Sequence, residues 1–175
     1  MKRWIAVIPL AVLALLAVMF FGWTLKRDPH VSPDELVGKP APAVAVTPLA
    51  GGQPVALNAA VQGPALINVF ASWCAPCRAE QPQLLRLKQQ GVRIIGIAWK
   101  DDPAKTQTLL SEIGDPFTVV YSDLDGRAAV ELGISGAPET FVVDGRGVII
   151  DKWAAPITDE DAARLLRELN GARSR

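Results

Sequence analysis

The stretch Ala-Leu-Ile-Asn-Val-Phe-Ala-Ser-Trp-Cys-Ala-Pro-Cys-Arg-Ala-Glu, residues 65–80, decides which fold this chain can adopt. Its first six residues form a short, mostly apolar run, which is typical of a strand buried in a sheet. Two cysteines follow with Cys-x-x-Cys spacing, and a helical pattern runs from about Ala75 to Gln90, with Gly91 as its stop and Pro82 as an expected kink. The stretch therefore predicts a strand, a turn that carries both cysteines, and a helix.

Apolar runs and helical patterns alternate through the rest of residues 38–175. A loose hairpin is expected from residues 43–46 and 54–57, around Gly51-Gly52. The later elements, in chain order, are a strand at 92–99, a helix at 103–113 capped by Asp102, a strand at 117–121, a helix at 127–132, a hairpin of 140–143 with 148–153, and a helix that starts after Thr158 and ends at Asn170-Gly171. This order predicts an α/β fold with a mixed central sheet flanked by helices.

The two cysteines carry the chemistry that the sequence predicts. At a helix N-terminus, Cys74 gains from unpaired backbone N–H groups and from the helix dipole, both of which favour its thiolate. The thiolate is the attacking species in disulfide exchange, so Cys74 is the predicted nucleophile. Cys77, one turn further in, is expected to be more shielded and to act as the resolving cysteine. The pattern thus indicates a redox-active pair.

Two structural alternatives to a redox pair are weaker. A closed zinc site needs about four ligands, and the chain has two cysteines and one histidine, with no second ligand pair near the first. His30 lies in a proline-rich stretch and is expected to be solvated. A permanent disulfide across two residues would close so short a loop that it would remove little entropy from the unfolded chain. We therefore expect neither a metal nor another cofactor.

The balance of charges argues against a nucleic-acid binder, and the hydropathy pattern locates a candidate membrane segment. The chain has 18 Lys and Arg residues against 18 Asp and Glu residues, whereas a nucleic-acid binder shows a basic excess. Between Arg3 and Lys26 lie 22 residues without a charge, about the length that crosses a bilayer. A cleavable signal peptide would have a shorter apolar region that ends at small residues. Trp4 and Trp23 suit the two interfaces of an uncleaved anchor.

These observations predict four regions. Residues 1–3 would be a cytoplasmic N-terminus, residues 4–25 a transmembrane anchor, residues 26–37 a proline-rich linker, and residues 38–175 a periplasmic domain. Basic residues flank both ends of the apolar segment, so the charge rule does not settle its orientation. The orientation follows instead from the cysteine chemistry, because a redox-active cysteine pair that is anchored to a membrane is expected outside the cytoplasm.

Residues 66–80 and the later Gly-Ala-Pro-Glu-Thr-Phe, residues 136–141, resemble the thioredoxin superfamily and, within it, the DsbE/CcmG family. These are membrane-anchored thiol–disulfide proteins of cytochrome c maturation. The resemblance covers about residues 38–170, including Gly-Lys-Pro-Ala-Pro at 38–42. It implies a thioredoxin-like fold with an N-terminal hairpin extension and an internal helix–strand insertion.

The resemblance also implies a loop that faces the cysteines. In the family the bond between Ala137 and Pro138 is cis, although an X-Pro bond is ordinarily trans. The backbone of Ala137 would then be open to pairing with a substrate strand. Trp73, Ala137, Pro138 and Glu139 are the expected substrate-binding residues. Glu139 could instead be a plain charge at a strand edge.

The resemblance singles out one more titratable residue. Ordinary thioredoxins carry a buried aspartate six residues before the first cysteine, and this chain has Asn68 there, which cannot ionise. Glu80 lies three residues after Cys77 on the same helix face and could supply the missing carboxylate. The alternative is a solvated glutamate in the first helical turn, favoured by the dipole.

The implied function is that of a periplasmic disulfide reductase. It would reduce the haem-attachment cysteines of apocytochrome c, Cys-x-x-Cys-His, with electrons from a membrane donor of the DsbD/CcdA type. Haem-handling components of cytochrome c maturation are further candidate partners. Two alternatives are a broader anchored thioredoxin of the ResA/TlpA type and a non-enzymatic module that presents apocytochrome. A thiol peroxidase is disfavoured, because Trp73 stands where a threonine or serine would precede the reactive cysteine.

Overall fold

The structure, a computed structural model, describes residues 2–24 and 35–173, and a mixed sheet organises the second of these ranges. Within that part, seven strands lie in the order β2-β1-β5-β4-β3-β6-β7. In chain order the strands are β1 (Ala45–Pro48), β2 (Val55–Ala56), β3 (Ala65–Phe70), β4 (Ile94–Trp99), β5 (Val119–Asp123), β6 (Glu139–Val143) and β7 (Ile149–Trp153). The pairs β3–β4 and β4–β5 are parallel, and the other pairs are antiparallel. The predicted mixed sheet and thioredoxin-like architecture are confirmed.

Helices cover both faces of this sheet. They are α2 (Leu57–Ala60), α3 (Ala75–Gln89), α4 (Pro103–Ile113), α5 (Arg127–Glu131) and α6 (Asp159–Arg173). The buried apolar residues form two clusters, as expected when successive side chains of a strand point to opposite faces. One cluster joins Leu66 and Phe70 of β3 to residues of α3, α4 and α6. The other joins Ile67 and Val69 to residues of α2 and α5.

Strand β3 lies at the centre of the sheet, which explains its composition. All six of its residues are buried, and β4 and β6 pair with its two edges. A strand covered on both faces needs apolar side chains on both. Asn68 is the polar exception, and it faces Thr140 of β6 across the pair. The end of β3 therefore delivers the cysteine turn to the carboxyl edge of the sheet.

Several predicted boundaries need correction. Strand β4 begins at Ile94 rather than residue 92, and β5 begins at Val119 rather than residue 117. The short helix α2 was not predicted. Helix α6 continues through Gly171 to Arg173, because burial of Ala172 against the domain outweighs the low helix propensity of glycine.

The chain divides into two compact units, Met1–Ser32 and Pro33–Arg175, which are described separately. The first contains helix α1 (Lys2–Thr24), and residue 1, residues 25–34 and residues 174–175 lie outside the described residues. Most of the expected linker, with His30, therefore lies outside them. In the described part of the chain, no helix reaches the combined length and apolar character required to cross a membrane.

Candidate active site

The two cysteines form a disulfide at the start of α3, with their Cα atoms 5.3 Å apart. Cys74 is the N-cap residue, in an extended backbone conformation, and the backbone N–H of Cys77 donates to its sulfur at 3.2 Å. Both residues are 3% exposed, so Cys77 is not more shielded than Cys74, contrary to the prediction. Their positions on the helix still distinguish them, because Cys74 lies where the N–H groups and dipole of the helix favour a thiolate.

Residues 135–138, called the proline loop below, lie against this disulfide. The peptide bond between Ala137 and Pro138 is cis, as the resemblance implied. The sulfur of Cys74 lies 3.5 Å from the carbonyl oxygen of Ala137. Pro138 is buried and Ala137 is half-buried. The loop immediately precedes β6, which pairs with β3, so the central strand pair brings the loop and the cysteines together.

Trp73 forms the exposed surface beside the reactive cysteine. The residue is 58% exposed, and its ring centroid lies 5.7 Å from that of Trp99. Its indole Nε1 donates to the carbonyl oxygen of Lys100 at 3.4 Å. An exposed aromatic ring fixed next to a reactive sulfur offers apolar contact area to an approaching peptide.

Asp101 holds the turn that leads into the cysteines, and sequence reasoning missed it. The residue is 2% exposed, and its carboxylate accepts from the backbone N–H and the hydroxyl of Ser72 at 2.7 and 2.6 Å. The hydroxyl of Thr106 adds a third bond at 2.7 Å. The residue preceding Asp101, Lys100, has a φ of 46°, which lies in the left-handed region of backbone conformation. The Asp-Asp pair before Pro103 was a signal, but only Asp102 was assigned a role.

Glu80 lies inside the domain rather than in solvent. The residue is 1% exposed, and it sits in the second turn of α3, so the solvated first-turn alternative is wrong. One carboxylate oxygen accepts from Asn68 Nδ2 at 2.9 Å, and the other from the backbone N–H of Ile157 at 2.9 Å. Burial raises the pKa of Glu80 to about 7, although the bonds from Ile157 and Asn68 act in the opposite direction. A carboxyl group with this pKa can accept and release a proton near neutral pH.

Asn68 occupies the place of the usual buried aspartate and connects Glu80 to the sheet. Its Nδ2 also donates to the hydroxyl oxygen of Thr140 at 3.0 Å. Asn68 and Thr140 are both fully buried. The sequence marked Asn68 but gave no reason to single out Thr140, because only the β3–β6 register places the two side by side.

Glu139 fixes the proline loop through hydrogen bonds to the two residues at its start. The residue is 1% exposed, and one carboxylate oxygen accepts from the N–H and hydroxyl of Ser135 and from the N–H of Gly136, at 2.7, 2.5 and 3.2 Å. The other oxygen lies 3.1 Å from Nζ of Lys152, whose side chain is 6% exposed. Its side chain is therefore a buried half of an ion pair rather than a free charge at a strand edge.

A cysteine pair in this setting performs disulfide exchange. Cys74 is the predicted attacking thiolate, and Cys77 lies close enough to it to close the disulfide. Among the residues that the structure describes, there is no group of three or more His, Cys, Asp or Glu residues that could hold a metal ion.

Comparisons with known proteins agree with this geometry. The model of the Redoxin family matches residues 36–166. The chain is similar to the thiol:disulfide interchange protein HelX of Rhodobacter capsulatus, with 41% identity over 87% of this chain and 88% of that protein. It is similar to the thiol:disulfide interchange protein DsbE of Pseudomonas fluorescens biotype C, with 42% identity over 91% of this chain and 89% of that protein. The crystal structure of a thio-disulfide isomerase from Thermus thermophilus matches with a TM-score of 0.61 at 29% identity, over 79% of this chain and 97% of that one.

Proposed function

Because the chain belongs to the Redoxin family and, within it, to the DsbE-type thiol:disulfide interchange proteins, we propose that it reduces the haem-attachment cysteines of apocytochrome c in the periplasm. The reaction class, thiol–disulfide exchange, is that of the family. The observation that carries the proposal is the Cys74–Cys77 pair at the start of α3, with Cys74 facing the Ala137 carbonyl at 3.5 Å.

The reaction begins when both cysteines are reduced. The Cys74 thiolate attacks one sulfur of the substrate disulfide, and the other substrate sulfur leaves as a thiolate that takes up a proton. Cys77 then gives its proton to Glu80, and its thiolate attacks Cys74 Sγ. The second substrate sulfur leaves as a thiol after protonation. Two electrons have then passed from the pair to the substrate, and the pair is oxidised.

Four residues are assigned to substrate binding, two by direct contact and two by holding the loop in position. The exposed ring of Trp73 would contact the peptide beside its disulfide. The half-buried Ala137 presents its backbone at the loop edge, where an extended peptide can pair with it. Pro138 keeps that backbone facing Cys74. Glu139 acts through its bonds to residues 135 and 136, which set the position of the loop.

The domain would work at the outer face of the cytoplasmic membrane. The 22 uncharged residues between Arg3 and Lys26 support a single anchor followed by a short linker, and the thiol–disulfide chemistry of the domain supports an orientation with the N-terminus inside. Each turnover leaves the pair oxidised, so a reductant must restore it. A membrane thiol–disulfide donor of the DsbD/CcdA type meets that need, because the bacterial periplasm is kept oxidising.

A trapping experiment tests both the substrate class and the order of attack. In Cys77→Ser the first attack survives and the release step is lost, so the full chain should accumulate a mixed disulfide through Cys74. The probe is a peptide with an oxidised Cys-x-x-Cys-His segment, followed on non-reducing gels. A peptide with the same residues in scrambled order is the control for substrate selectivity.

Three outcomes would contradict the proposal. Trapping by Cys74→Ser instead of Cys77→Ser would reverse the assigned nucleophile and resolving cysteine. Equal trapping of the ordered and scrambled peptides would favour the broader ResA/TlpA type of activity, and no trapping at all would favour a module that only presents apocytochrome.

A further inference from the structure

The side-chain amide of Asn68 has a buried oxygen that takes no part in the steps of disulfide exchange. The residue is fully buried, and its Nδ2 donates both to Glu80 and to Thr140. Its Oδ1 is buried as well, yet it accepts no hydrogen bond from any described residue. Buried acceptors in folded proteins nearly always have a partner, so an exception needs an explanation.

We propose that Asn68 is a positioning residue that serves both protonation states of Glu80, donating through Nδ2 to the carboxylate and accepting through Oδ1 from the carboxylic acid. This inference rests on the proposed role of Glu80 in taking the proton of Cys77. It explains why an amide, and not a carboxylate, stands at position 68. An amide both donates and accepts, whereas an ionised aspartate only accepts and would repel an ionised Glu80.

The change between the two states is a half-turn of the Asn68 amide about its last side-chain bond. In the state described here, Nδ2 faces Glu80 and Thr140. When Glu80 takes the proton, its new O–H becomes a donor, and the turned amide presents Oδ1 to it. The hydroxyl of Thr140 rotates to donate to the same Oδ1, since a hydroxyl can donate or accept. Either orientation leaves one amide atom without a described partner, so the proton on Glu80 decides between them.

Asn68 is the side chain that hydrogen-bonds the carboxyl group of Glu80 among the contacts of the described residues. From β3 Glu80 meets Asn68, and from the segment before α6 it meets the backbone N–H of Ile157. Cys77, one turn back on α3, is the titratable neighbour on its own helix. The nearby charged side chains of α3, α4 and α6 are about half exposed or more: Arg78 pairs with Glu112, and Arg86 pairs with Asp159.

An NMR titration of the oxidised full chain in detergent micelles tests the amide directly. In this state the cysteines are in a disulfide and do not titrate. The side-chain 15N signal of Asn68, assigned through its bonds to the backbone signals of the same residue, should shift with the same pH midpoint as the carboxyl 13C signal of Glu80. An Asn68 signal that stays constant while Glu80 titrates would overturn the proposal, and this measurement needs no variant to fold for its result.

A second measurement uses Asn68→Leu, which has nearly the same shape but neither donates nor accepts. Leucine loses the bonds to both forms of Glu80, but the bond from Nδ2 to the ionised carboxylate is charge-assisted and is the stronger of the two, so the midpoint of Glu80 should rise by about one pH unit. The pH profile for decay of a pre-formed Cys74 mixed disulfide should move by the same amount. Ser122→Ala, which removes a buried hydroxyl of β5 that has no described partner, should leave both unchanged. A lower urea midpoint with an unmoved pH profile would show a merely structural role.

The failure of this inference is distinct from the failure of the proposed role of Glu80. If Glu80→Gln slows the decay but Asn68→Leu leaves the profile in place, Glu80 takes the proton without help from Asn68. If Glu80→Gln leaves the decay unchanged while the Asn68 amide titrates with Glu80, the amide responds to the carboxyl group, but that group does not serve release.

Discussion

Glu80 shows how burial converts an ordinary side chain into a group suited to proton transfer. With 1% of the residue exposed, the charged form loses most of its hydration, which raises the pKa. Two hydrogen bonds to the carboxylate offset part of this loss, and the pKa settles at about 7. A base works best when its pKa lies near the working pH, because both of its protonation states are then populated.

Replacing Glu80 by glutamine should slow the release step and leave the attack step nearly unchanged. Cys77 must lose its proton before it releases the substrate, and a thiol with an ordinary pKa of about 8.5 is only a few per cent ionised at neutral pH. We expect decay of a pre-formed Cys74 mixed disulfide to slow by about tenfold on that account. The apparent pKa of the cysteine pair should fall, because the negative charge near Cys77 is gone. Stopped-flow kinetics on a model disulfide measure both.

The matched control for this variant is Glu112→Gln, which removes an exposed carboxylate from α4 that pairs with Arg78. It should alter neither step. A decay rate and a thiol titration that are the same in Glu80→Gln as in the unmodified chain would reduce Glu80 to a buried structural carboxyl group.

The raised pKa of Glu80 also predicts how stability depends on pH. The folded state holds this proton with a pKa of about 7, against the ordinary 4.5, so between those values the folded chain binds more protons than the unfolded one. The contribution of Glu80 to the free energy of unfolding is therefore present below about pH 4.5 and lost as the pH rises to about 7, by roughly 3 kcal/mol in total. Urea unfolding of the oxidised protein should show this loss relative to Glu80→Gln; a constant difference between the two proteins across that range would contradict it.

At the scale of elements, the proline loop depends on the pairing of β6 with β7. Phe141 of β6 lies opposite Lys152 of β7, and Nζ of Lys152 reaches the carboxylate of Glu139 at 3.1 Å. Glu139 in turn holds Ser135 and Gly136 just before the cis peptide. The position of the loop is thus set by a buried ion pair within the last hairpin of the sheet.

Glu139→Gln should destabilise the domain and weaken its reactivity together. Removing the carboxylate beside the buried Lys152 ammonium should lower the free energy of unfolding by about 3 kcal/mol. The rate of Cys74 attack should fall as well, because the loop that faces it is less well held. Both are measurable, by urea unfolding and by mixed-disulfide formation.

The double variant Glu139→Gln with Lys152→Met supplies the control. It removes both charges, so it should be more stable than Glu139→Gln alone, while the attack rate stays low because the Ser135 and Gly136 contacts are still altered. Additive losses in stability would show that the two residues do not interact.

At the scale of the whole molecule, the open prediction is the anchor. The full chain should stay in the membrane pellet after high-salt and carbonate washing, because an apolar segment of this length is held by the bilayer core. A reporter fused after Arg175 should be active only outside the cytoplasm. A chain that begins at Pro33 is the control and should be released. Recovery of a soluble form of the natural chain that begins near Lys26 would contradict the anchor.

Local sequence determined most of the helices and strands and the reaction class of this protein. The apolar run at 65–70, the Cys-x-x-Cys spacing and the helical pattern after it specify β3, the reactive pair and α3, because strand and helix periodicity are properties of neighbouring residues. The cap at Asp102 is equally local: its side chain accepts from the backbone N–H of Ala104 at 2.8 Å.

Only the tertiary structure decided which polar groups serve the site. Asn68 meets Glu80, 12 residues away, and Thr140, 72 residues away, and Asp101 reaches Ser72 across 29 residues. Nothing in the local sequence separates the buried Asp101 from the cap Asp102 beside it, or a buried Glu80 from a solvated one. Burial and hydrogen-bond partners arise when distant strands pair and helices cover them, and those partners set the pKa values and positions on which the chemistry depends.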